Sequence, residues 1–283
     1  MNNHMLITSD GVCDLPASYI KDGEFDILWS YVDVGNATFL DGEEITASNV
    51  IEYYETEHKK ATTSPPSAEE YAEFFRSRLE YNDVILHISI SSYLSKGYEN
   101  AVEAKKILGG NGDRVFIVDS LSLSTGMALL IVKAIEMKKI NDSASEIQAY
   151  LNEYKKKINM SFMVPNLDYM LINGQVDYRK AKRIRVFKLR PVLNIVDGRF
   201  KMKIVAGISV QRFVTNLLKK PNIIDTGTLF ITHAGLTTEE IEYIKQETLK
   251  IIKFDNIIVT EASAAVTSSC GPGTVALSFA YKD

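Results

Sequence analysis

The chain has 283 residues, of which 46% are hydrophobic and 24% are charged, and its mean hydropathy is −0.05. This composition is typical of globular proteins and excludes disordered and fibrous chains. The 32 basic and 36 acidic residues give a net charge of −4, and we expect no nucleic-acid partner because nucleic-acid-binding surfaces carry a basic excess. The longest apolar run, Met127 to Val132, is far shorter than the ~20 residues that span a bilayer. The first residues lack the layout of a secretory signal, so we expect a cytoplasmic protein.

The two cysteines, Cys13 and Cys270, stand near opposite ends of the chain. Neither belongs to a CxxC pair and no cluster of histidines accompanies them, so nothing indicates a metal site or redox chemistry. We expect two buried free thiols and no bound metal.

In the first half of the chain, strand-like apolar runs alternate with segments of helical periodicity. This alternation predicts an α/β domain with a mostly parallel sheet flanked by helices. Capping boxes at Ser67 and Ser143 mark two helix starts. The predicted strands cover residues 5–8, 27–34, 84–90 and 115–118, and the predicted helices cover about 68–80, 94–108 and 124–139, followed by the helix that begins after Ser143.

The second half has a different pattern. A short strand, a hairpin around Asp197-Gly198 and a β-α-β unit with a capping box at Thr237 predict a mixed α/β domain. We therefore expect two domains, residues 1–158 and 159–283, which meet at a packed junction because no flexible linker separates them. The predicted strands cover residues 161–164, 189–196, 200–205, 229–232 and 257–260.

Hydroxyl-bearing residues follow several of the predicted strands. Ligands of parallel sheets bind beyond the carboxyl ends of the strands, where the strand-to-helix turns converge. Capping of helices explains any one of these turns, but their number favours a binding site. The turns contain Thr8-Ser9-Asp10, Ser89 with Ser91 and Ser92, Asp119-Ser120, Thr232-His233, and the cluster Thr62-Thr63-Ser64-Pro65-Pro66-Ser67.

No catalytic motif accompanies these hydroxyl groups. The chain has no G-x-S-x-G elbow, Walker loop, G-x-G-x-x-G or H-E-x-x-H. His87 lies in an apolar strand and is expected to be a core histidine, whereas His233 ends a strand and is the better candidate for a base. A binding protein is favoured. Two alternatives stay open, a hydrolase that uses Ser92 or Ser120 with His233, and a module that binds a polar or phosphorylated ligand at helix N-termini.

An ordered series of short motifs resembles the DegV family and covers nearly the whole chain. Each motif is weak alone, but their order makes the series specific. The series consists of Ser9-Asp10-Gly11-Val12-Cys13-Asp14-Leu15-Pro16, Thr63-Ser64-Pro65-Pro66-Ser67, Ile90-Ser91-Ser92-Tyr93-Leu94-Ser95-Lys96-Gly97-Tyr98, Asp119-Ser120 with Gly126, Leu171-Ile172-Asn173-Gly174, Arg190-Pro191-Val192-Leu193 with Asp197-Gly198, and Gly271-Pro272-Gly273.

The resemblance implies a non-enzymatic protein that carries a long-chain fatty acid, the lipid-binding subunit of bacterial fatty acid kinase. A separate kinase subunit would phosphorylate the bound carboxylate, and no cofactor is expected beyond the fatty acid. Carried over by motif, Thr63 and Ser92 are expected to hold the carboxylate, with Ser64 and Ser91 shaping the adjacent turns. Burial of the methylene chain in an apolar tunnel would supply most of the affinity, at ~0.8 kcal/mol per CH₂.

Four residues at three sites depart from the family pattern. Ser269 stands where many members have histidine, Lys96-Gly97 replaces Gly-Thr, and Gln175 stands where arginine often follows the glycine. Ser269 is expected to donate a hydrogen bond to the ligand in place of the imidazole.

A basic segment distinguishes this chain as well. Residues 179–190 contain seven basic residues and no acid, which leaves −11 for the rest of the chain. This segment is interpreted either as a solvated helix face or as a docking patch for an acidic kinase surface or for transient contact with an anionic membrane.

Overall fold

The computed structural model describes residues 4–19, 25–140, 142–165, 189–206 and 209–282. Its first half contains the predicted strands and helices, and it also contains two strands and a helix that were not predicted, at Ala37–Leu40, Thr62–Ser64 and Ala47–Glu57. The elements are β1 (Met5–Asp10), β2 (Phe25–Leu28), β3 (Tyr31–Val34), β4 (Ala37–Leu40), α1 (Ala47–Glu57), β5 (Thr62–Ser64), α2 (Ala68–Leu79), β6 (Val84–Ser89), α3 (Gly97–Ile107), β7 (Val115–Asp119), α4 (Thr125–Lys139) and α5 (Ala144–Tyr154).

The second half contains the predicted hairpin and the predicted β-α-β unit. Its described elements are β8 (Ile158–Met163), β9 (Leu189–Val196), β10 (Arg199–Ala206), α6 (Val210–Leu217), β11 (Thr228–His233), α7 (Thr238–Leu249), β12 (Asn256–Glu261), α8 (Ala264–Cys270) and β13 (Val275–Ala280).

The first sheet is four-stranded, parallel and covered by helices on both faces. Its strand order is β2-β1-β6-β7. Leu6 and Ile85 pair across β1 and β6 and pack in one cluster with α2 and α3. The next pair, Ile7 and Leu86, lies on the opposite face and packs with α4 and α5. This arrangement follows from the two-residue repeat of strands, and it explains why β1 begins with an apolar run at residues 5–7 and β6 with one at residues 84–86.

The second sheet is six-stranded and mixed, with the order β10-β9-β8-β13-β11-β12. Only β11 and β12 are parallel, and α7 connects them. One apolar cluster lies within this half, while a larger cluster runs from β1 and α4 to β8, β9 and α8. At the N-terminus of α4, Thr125 Oγ1 lies 2.7 Å from Thr232 Oγ1 and 2.9 Å from Ser278 Oγ. The two halves therefore share a packed boundary, and its placement at residue 158 stays a prediction.

One predicted element is wrong in an informative way. The run at residues 27–34, expected to be one strand, is two strands separated at Trp29 and Ser30. β2 joins the parallel sheet, whereas β3 pairs with β4 and β5 in a separate three-stranded antiparallel sheet. This small sheet places Thr63 opposite Val32, on a strand instead of in a turn.

The helix starts marked by capping boxes are confirmed. Ser67, Ser143 and Thr237 each accept a hydrogen bond from the backbone N–H three residues later, and a glutamate at that position accepts one in return. These starts were predictable because the interactions are local. Within the described ranges, no helix is long and apolar enough to cross a bilayer.

Candidate functional site

A cavity of about 340 Å³ lies where the two halves meet. We call it the hydroxyl-lined cavity. Strand ends of the first sheet, the small sheet, the hairpin β9–β10 and α8 all contribute to its wall. The polar lining consists of Asp10, Ser30, Thr63, Ser64, Ser95, Lys96, Tyr71 and Ser269, and the apolar lining includes Val12, Ile90, Leu94, Leu123, Phe200 and Val266.

The structure brings together three of the five residues that were predicted to bind the ligand. Thr63 and Ser64 reach the cavity from β5, and Ser269 reaches it from α8. These residues are separated by about 200 positions in the sequence, so their meeting depends on the packing of α8 against the small sheet.

Ser91 and Ser92 do not belong to the cavity lining. The Ser91 hydroxyl is buried and donates to the carbonyl oxygen of Gly198, 2.8 Å away, at the tip of the hairpin. The Ser92 backbone N–H donates to Asp119 Oδ1 at 3.2 Å. The loop thus uses Ser91 to hold the hairpin, and a direct role of either serine in binding stays a prediction.

Lys96 adds a positive charge at the cavity rim. Its side chain is exposed, and it directly precedes α3 at the N-terminal end of that helix. A helix N-terminus and an ammonium group both favour an anion. The sequence showed Lys96 only as a departure from the family pattern, so its place beside Thr63 and Ser64 is a structural finding.

A buried carboxylate organises the inner wall of the cavity. Asp10 Oδ2 accepts hydrogen bonds from Ser89 Oγ and from the backbone N–H of Ile90, both at 2.7 Å. Oδ1 accepts from the Tyr71 hydroxyl and lies 3.1 Å from His87 Nε2. Burial alone would raise the pKa of Asp10. The hydrogen bond and charge of His87, with hydrogen bonds from Tyr71 and Ile90, outweigh burial and hold this pKa below its ordinary value.

His87 belongs to this network, as a satisfied core histidine. Its ring is fully buried, and its Nδ1 lies 3.0 Å from Thr8 Oγ1. The expectation for His87 is confirmed, but its partner Asp10 was not identified from the sequence because 77 residues separate the two. Adjacent strands β1 and β6 bring them together.

Two further buried acids, Asp14 and Asp41, hold the start of α8. Asp14 Oδ1 accepts from the N–H of Ser263 at 2.8 Å, and Asp41 accepts from the N–H groups of Ala264 and Ala265 at 3.0 and 3.2 Å. Burial raises the pKa of Asp14 to about 7 and that of Asp41 to about 6, against the lowering effect of these hydrogen bonds. These acids anchor the helix that carries Ser269.

The geometry does not assemble a serine hydrolase. Ser120 Oγ donates to the carbonyl of Ser122 at 3.1 Å, and His233 Nδ1 accepts from the N–H of Leu236 at 3.4 Å. Across the described ranges, no hydrogen bond joins His233 to Ser92 or Ser120. Burial lowers the pKa of His233.

Metal-ligating side chains do not cluster in the described part of the chain. No group of three or more histidine, cysteine, aspartate or glutamate side chains that could hold a metal ion occurs there. Both cysteines are free thiols, Cys13 buried and Cys270 half-buried.

Two features of the sequence lie wholly or mostly outside the described residues. They are the motif at residues 171–174 with Gln175, and the basic segment 179–190, of which only the backbone of the last two residues is described.

Comparisons with known proteins agree with the fold. A DegV domain-containing protein of Staphylococcus aureus is 23% identical over 277 residues, which covers 96% of this chain and 97% of that protein. A structure described as fatty acid binding of a DegV family protein from Thermus thermophilus superposes with a TM-score of 0.87 at 24% identity, over 98% and 99% of the two chains. DegV from Bacillus subtilis, described as a fatty acid binding protein, gives a TM-score of 0.81 at 18% identity, over 99% and 100%.

The sequence model that describes the DegV family, whose members it calls uncharacterised proteins, matches residues 4–282. The match spans the two sheets and the cavity between them. The chain therefore belongs to the DegV family.

Proposed function

We propose that this protein is a cytoplasmic carrier that binds one long-chain fatty acid in the hydroxyl-lined cavity and presents the carboxylate to a separate kinase. The observation that carries the proposal is the division of the cavity wall. Four polar residues, Thr63, Ser64, Ser269 and Lys96, line the cavity from β5, α8 and the N-terminal end of α3. The other polar lining residues are Asp10, Ser30, Tyr71 and Ser95, and apolar residues form the remainder. Solved relatives of the same fold are described as fatty acid binding.

The polar part of the wall suits a carboxylate. Hydrogen bonds to a charged group contribute about 1.5 to 3 kcal/mol each. Asp10 does not compete for these donors, because four other groups already bond to its two oxygens. Neutral hydroxyls also accommodate the acyl phosphate product, since they donate equally well to a phosphate oxygen.

The apolar part of the wall suits the methylene chain. Val12, Leu94, Leu123 and Phe200 come from separate elements and line the same cavity. A chain of about fourteen methylenes offers on the order of 11 kcal/mol when it is buried, before the entropy of binding is subtracted. The volume lies within the ~300 to 1,000 Å³ range of small-molecule pockets.

Binding of radiolabelled palmitate and oleate to the delipidated protein tests the proposal. We expect Thr63→Ala and Ser64→Ala each to weaken binding about tenfold, the effect of losing one charge-assisted hydrogen bond. Thr56→Ala is the matched control, because the Thr56 hydroxyl bonds to its own helix on the surface at 2.8 Å. Equal affinities for all three variants would refute this head-group assignment.

Ser92→Ala tests whether Ser92 binds the carboxylate of the fatty acid. The family resemblance predicts a loss similar to that of Thr63→Ala, whereas the cavity lining predicts an affinity within about twofold of the wild type.

The kinase step has its own assay. A carboxylate oxygen of the bound acid would attack the γ-phosphorus of ATP and release ADP. The loaded protein, ATP and a purified fatty acid kinase catalytic subunit should therefore yield an acyl phosphate, trapped by hydroxylamine as a hydroxamate. No hydroxamate above the level of free fatty acid would refute the carrier role and leave lipid binding intact.

A further inference from the structure

A second cavity, of about 440 Å³, lies where β8 and β9 diverge. The ladder between these strands ends at Ser161 and Asn194, although β8 continues back to Ile158 and β9 continues to Val196. The facing ends of the two strands therefore form opposite walls of an open wedge. None of its lining residues belongs to the hydroxyl-lined cavity, so the two cavities are distinct in their walls.

Lysines border this wedge on two sides, and we call it the lysine-bordered cavity. Lys155 and Lys156 precede β8, while Lys201 and Lys203 lie on β10. Asp197 is the single acidic residue in its lining. Because Lys201 and Lys203 are two residues apart on a strand, their side chains share one face. This face is opposite to that of Phe200, which lines the hydroxyl-lined cavity.

The lysines differ in how far their charges are already satisfied. Lys155 Nζ donates to the carbonyl of Asp119 and to Asn152 Oδ1, both at 2.8 Å, which fixes its position. Lys156 pairs with Glu153 at 2.7 Å on the exposed surface. Lys201 and Lys203 make no ion pair with any residue of the described ranges. Their ammonium groups are therefore the ones open to an anion.

The wall also contains a buried donor without a partner. Asn159 Nδ2 is the one buried side-chain nitrogen or oxygen in the described part of the chain that makes no hydrogen bond. Its amide is held in place, since Ser161 Oγ donates to Asn159 Oδ1 at 3.3 Å and Asn194 donates to Ser161. An unsatisfied buried N–H group is unfavourable, and because Nδ2 is shielded from solvent, an acceptor bound in the cavity would reach it only after the Asn159 side chain moves.

The remaining lining contains the polar residues Ser122 and Asn194 and is otherwise apolar or aromatic, including Ile158, Met160, Ile195 and Tyr281. We infer that the lysine-bordered cavity is a second binding site, for a small phosphate ester whose phosphate meets Lys201 and Lys203 and whose apolar or ring portion enters the wedge. Lysine serves as a point charge for phosphate. A nucleoside monophosphate and a lysophospholipid share this chemistry, so both are probes.

Calorimetry with the palmitate-saturated protein, at low salt, tests the inference. AMP and 1-oleoyl lysophosphatidate are titrated separately, and saturable binding of either one is expected, with the tighter probe identifying the source of the ligand. Lys201→Ala/Lys203→Ala should weaken that binding at least about fivefold. Lys219→Ala/Lys220→Ala is the matched control, because it removes the same charge from exposed lysines outside the cavity and should leave the affinity unchanged.

Three results would overturn the inference. The first is the absence of saturable binding of either probe at concentrations up to about 1 mM. The second is an equal loss of probe affinity in both double variants, and the third is displacement of the probe by additional palmitate. Palmitate binding by Lys201→Ala/Lys203→Ala should equal that of the wild type, so this test remains separate from that of the proposed function.

Discussion

Removal of the Asp10 carboxylate should destabilise the protein more than any surface change of the same size. Four donors converge on it, from Tyr71, His87, Ser89 and Ile90, and its side chain is almost fully buried. Asp10→Ala leaves these donors without an acceptor. Breaking a buried, hydrogen-bonded charge pair costs about 3 to 5 kcal/mol, so we expect a loss near 4 kcal/mol, or roughly 8 to 16 °C in melting temperature.

Asp10→Asn should be much milder. The Asn oxygen can still accept from the Ile90 N–H, a group that can only donate. The new amide group can donate to His87 Nε2 if the ring proton moves to Nδ1, where Thr8 Oγ1 lies 3.0 Å away and can accept it. The charge of the acceptor is lost, and the Tyr71 hydroxyl must accept from the new amide group instead of donating to Oδ1. We expect a decrease of about 1 to 2 kcal/mol.

Equilibrium urea unfolding of both variants measures this difference. Asp113→Ala is the control, because Asp113 is exposed in the turn before β7, and it should stay within about 0.5 kcal/mol of the wild type. The folded-state pKa of Asp10 is lowered, so its stabilisation is present above its unfolded-state pKa and is lost as the pH falls through the folded-state value. A loss in Asp10→Ala below about 1 kcal/mol, or equal losses in Ala and Asn variants, would refute this reasoning.

Three further changes test other parts of the structure. Burial raises the pKa of Asp14 to about 7, so the wild-type folded state takes up a proton that the unfolded state lacks, and stability falls as the pH rises from about 4 to 7. In Asp14→Asn, the free energy of unfolding measured with urea should change by roughly 2 to 4 kcal/mol less between pH 5 and 8 than it does in the wild type. An unchanged pH dependence would contradict this. Lys96→Ala should weaken palmitate binding about threefold at low salt and less at high salt, with Lys253→Ala, at an exposed lysine, as the control. A loss that does not depend on salt would contradict an electrostatic role of Lys96. Gly198→Ala places a Cβ 2.6 Å from Ser91 Oγ, whereas Gly109→Ala, also at positive φ, meets nothing within 4 Å; a lower melting temperature is expected for Gly198→Ala, and equal temperatures would exclude the steric explanation.

Local features of the fold were predictable because their physics is local. The capping boxes at Ser67, Ser143 and Thr237 contain donor and acceptor within four residues, and the Asp197-Gly198 turn joins adjacent strands. Both kinds of feature appear in the sequence at the positions where the structure has them.

Long-range pairing was not predictable in the same way. The break at Trp29 was missed even though one partner of β3 is local, since β4 pairs with it across the Gly35-Asn36 turn. Its other partner, β5, comes about thirty residues later in the chain. The same holds for Asp10, whose role depends on β6, and for the clamp that Asp14 and Asp41 form on α8.

The candidate site shows both sides of this distinction. Motif resemblance selected Thr63, Ser64 and Ser269, and the structure places all three on one cavity wall. It also selected Ser91, whose hydroxyl the fold uses for the hairpin carbonyl of Gly198. Lys96 was visible only as a departure from the pattern. A motif therefore locates the loop, and the tertiary packing decides which residues of that loop line the cavity.

Mass spectrometry of the lipids extracted from the purified full chain, expressed in a bacterial host, tests the central claim most directly. The account predicts a long-chain fatty acid at about one equivalent per chain in the wild type, and a lower content in Thr63→Ala/Ser64→Ala, two residues that line the cavity. A wild-type protein that carries no fatty acid, and that takes up neither palmitate nor oleate when they are added, would contradict it.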